Sequence, residues 1–190
     1  MGLRKDIVHF FTHLIQNFFS MVTIGTNAHE ILPNLWLGNR HAALNKEWLE
    51  GQKITAVFNC SKDIPFATGQ RHLYRIPIDD NLEEEEIRNL ELWSWEVIYK
   101  LTKELSEGNR VLVHCAAGMQ RSAAVVAMFC ISQFRCQTDE AVAFVKRRRP
   151  VAFLGNVNFY KAIKGFETSL FRFIQDRKLY TQMPRRPLPI

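Results

Sequence analysis

The stretch Val111-Leu-Val-His-Cys-Ala-Ala-Gly-Met-Gln-Arg-Ser122 constrains this chain more than any other. Val111 to Val113 have the branched apolar character of a buried strand, Ala116 to Gly118 are small enough for close backbone approach, and Ser122 followed by Ala123-Ala-Val-Val-Ala127 reads as a helix opening. In a strand–loop–helix of this kind the loop N–H groups converge with the positive end of the helix dipole, forming an anion cradle suited to phosphate. Arg121 closes the loop, and its planar guanidinium can grip two phosphate oxygens at once, which a lysine cannot. Cys115 lies at the floor of the cradle, where the same donors favour the thiolate and make it a nucleophile at neutral pH. The expected phosphate-binding residues are Ala116, Ala117, Gly118, Met119, Gln120 and Arg121. The blander reading is a buried structural cysteine before an ordinary helix, which would leave the arginine and the small-residue loop without a purpose.

His114-Cys115 with Arg121-Ser122 resembles the HCxxGxxRS signature of cysteine-dependent protein phosphatases, and HCAAGxxRS is most similar to the dual-specificity branch, including its poxvirus-type members. The resemblance implies that Ser122 hydrogen-bonds the thiolate as it leaves a phosphoenzyme and that His114 orients the loop from behind. A Cys/His protease dyad is disfavoured, because strand neighbours point to opposite faces and His114 cannot reach the sulfur as a base.

Further segments carry the same resemblance. Glu30-Ile-Leu-Pro-Asn-Leu-Trp-Leu-Gly38 is close to the xILPxLYLGS opening of the family, and alternating Ile31, Leu35 and Leu37 around Pro33-Asn34 predict a short hairpin. Ile54 to Cys60 matches the ITxVLNxS strand and Tyr74 to Ile78 predicts another; both are expected to be central and parallel. Asp79-Asp80 follows, and aligning IPIDD with the family's IPxxD selects Asp80 as the residue that protonates the leaving group and then activates water. Asp79 is expected to be solvated or capping, with a lesser alternative in which its charge tunes its neighbour. Glu83-Glu-Glu-Glu86 opens a long helix through Glu104, stopped by Gly108, with Leu90, Trp93, Val97, Tyr99 and Leu101 to Leu105 as its apolar side. Val125 to Phe134 predict a buried helix, and Thr138 is expected to cap another running to Arg148 before Pro150. Lys146-Arg-Arg-Arg149 is read as a solvated helix end in preference to a nucleic-acid or acidic-substrate patch. The family's RxRPxxxPN pattern is recognisable in Arg147 to Asn156 with one extra residue and Gly155 in place of proline, and Asn156 to Phe173 predict a last amphipathic helix. On the Ile54 to Cys60 strand some relatives place a resolving cysteine, which makes Cys60 a candidate redox partner of Cys115; the alternative is a small buried core residue.

The resemblance runs over roughly residues 28 to 175, so both ends are read on their own pattern. The expected organisation is an N-terminal amphipathic helix and linker over 1–27, a phosphatase domain over 28–176 and a basic, proline-rich tail without a core-forming pattern over 177–190. Ile7, Phe10, Phe11, Leu14, Ile15, Phe18 and Val22 recur at helical spacing, and the expected occupants of that stripe are the chain's own domain first, then a second copy, giving a homodimer, and last a membrane surface. Asp6, His9 and His13 interrupt any signal-peptide core, and Asp6 stands where myristoylation prefers Ser or Thr. With 190 residues, 47% hydrophobic, one domain is the default. Four cysteines without paired metal-type spacing, and no apolar run able to span a bilayer, predict a reducing intracellular, cytoplasmic setting; the poxvirus-type likeness implies a virion association as the alternative.

The expected fold is α/β, a central and mostly parallel sheet flanked by helices in the manner of dual-specificity cysteine phosphatases, with the loop at the carboxyl ends of the strands. The expected function is hydrolysis of phosphotyrosine and phosphoserine/threonine in phosphorylated protein substrates through a phosphocysteine, with no cofactor and no metal. The chain lacks the added phosphotyrosine-binding segment of longer tyrosine-specific enzymes, and its loop lacks the basic residues usual in phosphoinositide phosphatases. RNA 5′-triphosphatase activity, which the net charge of +6 would suit, is the enzymatic alternative, and a phosphate-binding pseudophosphatase the non-enzymatic one.

Overall fold

The computed structural model describes residues 26–177 and 186–189. The N-terminal amphipathic stripe, and with it the expected dimer contact, lies outside the described residues.

A five-stranded sheet forms the centre. Its strands are β1 (Ala28–Leu32), β2 (Leu35–Gly38), β3 (Ala56–Asn59), β4 (His72–Arg75) and β5 (Val111–His114), in the order β1-β2-β5-β3-β4. The β2/β5, β5/β3 and β3/β4 pairings are parallel, and β1/β2 is the expected antiparallel hairpin, turned by Asn34 at φ 66°. Every residue of β5 is buried, as its Val-Leu-Val sequence requires of a central parallel strand. The second strand departs from expectation: it comprises His72–Arg75 rather than Tyr74 to Ile78, and it is an edge, leaving Leu73 exposed. Its polar alternation, His72 and Arg75 around Leu73 and Tyr74, suits an edge better than a centre.

Helices cover both faces. The short α1 (Arg40–Leu44) and α2 (Lys46–Gly51) lie over Trp36, Val57 and Leu112, while α3 (Glu84–Ser106), α4 (Arg121–Phe134), α5 (Thr138–Arg148) and α6 (Tyr160–Asp176) pack on the face carrying Leu35, Leu37, Phe58, Val111 and Val113. The small residues Ala123, Ala124 and Ala127 let α4 settle into the middle of that layer, fully buried from Ser122 to Ile131. Along α3 the buried positions are Glu86, Leu90, Ser94, Val97, Ile98, Leu101 and Glu104, whereas Trp93 and Tyr99 are exposed. At about 100° per residue Tyr99 stands roughly opposite Leu90, so it could not share the inner face that the sequence reading gave it. Gly108 does end the helix, at φ 80°.

Two buried carboxylates organise this layer. Glu104 accepts from Tyr74 Oη at 2.5 Å and Asn109 Nδ2 at 2.8 Å and meets His72 Nδ1 at 2.7 Å, tying α3 to β4. Glu167 accepts from the Thr138 backbone N–H and hydroxyl, both at 2.7 Å, joining α6 to the start of α5. The expected cap at Thr138 is therefore displaced: Gln137 is the cap residue, its N–H donating to Glu140 at 2.7 Å. The last helix begins at Tyr160 rather than Asn156, freeing residues 156–159 as a loop. The tail is not wholly without core character, since Leu188 packs against the main core and the Arg186 N–H donates to Phe134 O at 3.2 Å.

Glu104→Ala should destabilise the domain by about 1–3 kcal/mol in urea unfolding, because it strands the half-buried donors of Tyr74 and Asn109. Burial pushes the Glu104 carboxyl up, but the hydrogen bonds from His72 and Tyr74 outweigh it, and the net shift is downward. Its contribution is therefore present above the ordinary carboxyl value of about 4.3 and is lost as pH falls through the lower folded value. A loss under about 0.5 kcal/mol at pH 7 would contradict this role.

Candidate active site

The carboxyl end of β5 runs directly into the loop Cys115–Gln120, and α4 begins at Arg121. Cys115 shares the strand face of Val111 and Val113, while His114 alternates with Leu112, so the two side chains diverge as expected. The sulfur is 2% exposed and accepts hydrogen bonds from the Gly118 N–H and the Ser122 hydroxyl, each at 3.2 Å. Gly118 is at φ 67°, and a Cβ there would sit 2.4 Å from the Gly38 carbonyl oxygen; the close turn onto β2 requires glycine. The Arg40 N–H donates to Ala116 O at 3.1 Å and the Phe153 N–H to Met119 O at 2.8 Å, turning the loop carbonyls outward.

Burial pushes the Cys115 thiol up, yet the Ser122 hydroxyl and backbone N–H, the Arg121 charge and the Gly118 N–H together bring it below the ordinary thiol value. Cys60 and Cys130 show what burial does without such donors: both are raised far above it. His114 is fully buried and burial, aided by the Arg75 and Arg121 charges, draws it down to about 4, so the ring is neutral at physiological pH. Neither ring nitrogen has a partner in hydrogen-bonding geometry, although the ring lies against the Cys115 backbone, so it supports the loop by packing.

Arg121 Nη1 donates to Ile78 O at 3.0 Å, and its buried Nε has no partner among the described residues. Ile78 leads into the two aspartates, which the structure treats differently. Asp79 is ion-paired with Lys62 at 2.7 Å, and its N–H donates to Glu86 at 3.0 Å. Asp80 is exposed and accepts from Asn158 Nδ2 at 2.9 Å. Asn158 is in turn placed by the loop, through its N–H to Gln120 Oε1 at 3.1 Å, while Gln120 Nε2 donates to Asn156 O at 2.8 Å. Gln120 and Asn158 thus form a chain of contacts from the thiol loop to the Asp80 carboxylate. Cys60 follows β3, its N–H donating to His114 O at 2.7 Å, beside the strand end that carries Cys115.

Three contributors escaped the sequence reading. Asn158 lay in a segment expected to be helical, and Lys62 in an unremarked loop. Arg149 was read as part of a solvated helix end; instead it is 1% exposed, with Nε donating to Gly118 O at 2.9 Å, Nη2 to Ala117 O at 3.3 Å, and Nη1 to Thr26 O at 3.3 Å and reaching His29 Nδ1 at 2.8 Å. Within a run of four basic residues nothing in the sequence distinguishes the inward one except its place directly before Pro150, where the helix ends.

The likeness is independent of this geometry. Residues 35–169 match the dual specificity phosphatase catalytic domain. The chain is 37% identical over 142 residues to mouse dual specificity protein phosphatase 2 and 34% identical over 142 residues to human dual specificity protein phosphatase 1, matches covering 74% of this chain but 43% and 37% of those proteins. It therefore spans less than half the length of these curated relatives. Among solved structures it is similar to human DUSP28 (TM-score 0.68, 26% identity, 77% of this chain and 96% of the other) and to human tyrosine phosphatase-like serine/threonine/tyrosine-interacting protein (TM-score 0.65, 27% identity, 76% and 97%).

Alkylation by iodoacetamide followed against pH should give a midpoint for Cys115 below that of an ordinary thiol, and Ser122→Ala should move it upward by removing one donor. An unchanged midpoint in Ser122→Ala would contradict the assigned bond.

Proposed function

Because this chain belongs to the dual specificity phosphatase catalytic-domain family, we propose that it hydrolyses phosphotyrosine and phosphoserine/threonine in protein substrates through a phosphocysteine intermediate. The observation that carries the reading is the buried Cys115 sulfur with two donors at 3.2 Å and a thiol shifted toward the anion. The Cys115 thiolate attacks phosphorus and the bond to the leaving oxygen breaks; Asp80 supplies the proton that oxygen needs. The loop N–H groups and Arg121 carry the charge on the equatorial oxygens. Water, deprotonated by Asp80, then attacks the phosphocysteine, releasing inorganic phosphate and restoring the thiolate, which Ser122 receives with its hydroxyl hydrogen bond.

The presence of Cys115, Arg121 and Asp80 in the chain supports turnover over binding alone. A protein rather than an RNA substrate is favoured by the family to which the chain belongs. Cys60 we assign as the resolving thiol when Cys115 is oxidised: peroxide converts the thiolate to a sulfenic acid, and the Cys60 thiol condenses with it to a disulfide, releasing water.

Cys115→Ser should abolish phosphate release and Arg121→Lys nearly so, measured with a phosphopeptide. Asp80→Asn should slow poor leaving groups strongly and activated aryl phosphates little; the same pattern in Asp79→Asn instead would reassign the acid. Mild peroxide should yield a reductant-reversible Cys60–Cys115 disulfide in peptide maps, and conversion of Cys115 to sulfinic acid with Cys60 still free would show the two thiols are not partners.

A further inference from the structure

Asp79, the carboxylate that the mechanism leaves unused, is held at both its side chain and its backbone. Lys62 Nζ sits between two carboxylates, 2.7 Å from Asp79 Oδ2 and 2.5 Å from Glu86 Oε1, and Glu86 turns its other oxygen to the Asp79 N–H at 3.0 Å. Glu86 is buried in the first turn of α3. The hydrogen bond to Asp79, then that to Glu86, holds the Lys62 ammonium above the ordinary lysine value, so it is charged at neutral pH.

Lys62 itself stands on a fixed base. The loop after β3 presents the carbonyls of Ser61, Lys62 and Ile64 to the Arg75 guanidinium at 2.8, 3.1 and 2.9 Å. The buried Asn59 amide donates to Ile64 O at 2.8 Å and accepts from the Ser61 hydroxyl at 2.5 Å. Asn59 ends β3 and Arg75 ends β4, so the ammonium is anchored to the sheet. The consequence falls on the next residue along. Ile78 O is taken by Arg121, Asp79 by Lys62 and Glu86, and Asp80 by Asn158, so three successive residues are each fixed to a different part of the domain. Of two adjacent carboxylates, one is tied off and the other left exposed. An ion pair whose partners are each 45% exposed adds little to stability, so its effect lies in what it fixes.

We propose that Lys62 and Glu86 are positioning residues for the acid: by clasping Asp79 they hold the adjacent Asp80 where it meets the leaving group. The inference rests on the phosphatase reading above. Without the ammonium, Asp79 and Glu86 repel each other, the peptide joining Asp79 to Asp80 shifts, and Asp80 loses its place, whereas the thiol, its donors and Arg121 keep theirs. A displacement of about 1 Å in such a group costs up to about a hundredfold in rate.

The test measures kcat and KM separately, with the full chain, on a phosphotyrosine peptide and on para-nitrophenyl phosphate, an activated ester whose leaving group needs little protonation. Lys62→Met should lower kcat on the peptide by at least about tenfold with KM changed less than about twofold, and lower the aryl phosphate rate by less than about threefold. Lys62→Arg should restore most of the peptide rate, and Glu86→Gln should share the leaving-group pattern. Adding Asp79→Asn to Lys62→Met should cost little beyond the worse single substitution, because both break one clasp. The aryl phosphate rate of the same sample reports that the variant is folded. Equal losses on both substrates would make Lys62 a structural support alone, and an unchanged peptide rate in Lys62→Met would show Asp80 placed without it; either overturns the proposal and leaves the phosphatase reading intact. A wild-type chain that turns over neither substrate would remove both.

Discussion

A cysteine that is 2% exposed has lost its water, and a thiolate there is unstable unless fixed protein groups replace that water. The fold supplies them through one junction, the step from β5 into α4. The strand places Cys115 on its inner face, the loop turns back so that the Gly118 N–H and Ser122 hydroxyl meet the sulfur, and the start of the helix brings Arg121 alongside. The turn is possible because residue 118 has no side chain: the Gly38 carbonyl occupies the volume a Cβ would need. A glycine in β5's neighbour, β2, is thus as much a part of the thiol's environment as the donors themselves. The same burial without donors, at Cys60 and Cys130, drives thiols the other way.

Around that junction the loop is held from three sides. Arg40 reaches one carbonyl from α1, Phe153 another from the segment after α5, and the Arg149 guanidinium takes those of Ala117 and Gly118 from beneath. Each donor that engages a carbonyl on the outside leaves the corresponding peptide unit with its N–H turned inward, where an anion can use it. Gln120 extends the arrangement to Asp80 through Asn158, so that the thiol loop and the carboxylate share one set of contacts. Such preorganisation matters because electrostatic stabilisation in a dry site costs no rearrangement at the moment of reaction.

Much of this was readable in advance where residue type and position leave one solution. The apolar run of β5, the small residues behind it and the helix opening at Ser122 together specify strand, loop and helix, and the hairpin at Pro33-Asn34 is specified by its turn chemistry. The sequence reading failed where long-range packing decides. Tyr74 to Ile78 has strand-like residues, but the ladder with β3 ends at Arg75, and the remainder serves to carry Ile78 O to Arg121. Thr138 is a good cap residue that tertiary contact with Glu167 diverted. Arg149 is indistinguishable from its three basic neighbours until the chain turn at Pro150 directs it inward, and Asn158 acquires its role only because residues 156–159 are held out of α6 by Gln120.

The central claim is that the Cys115 sulfur itself takes the phosphoryl group. Rapid acid quenching during turnover of a phosphopeptide, followed by mass spectrometry of the digested chain, tests it most directly. The account predicts phosphate on the peptide containing Cys115 and, when the substrate is an activated aryl phosphate whose first step needs little protonation, more of it in Asp80→Asn, where attack by water is slowed. Phosphate found on another residue, or turnover with no adduct under conditions that preserve a thiophosphate ester, would contradict it.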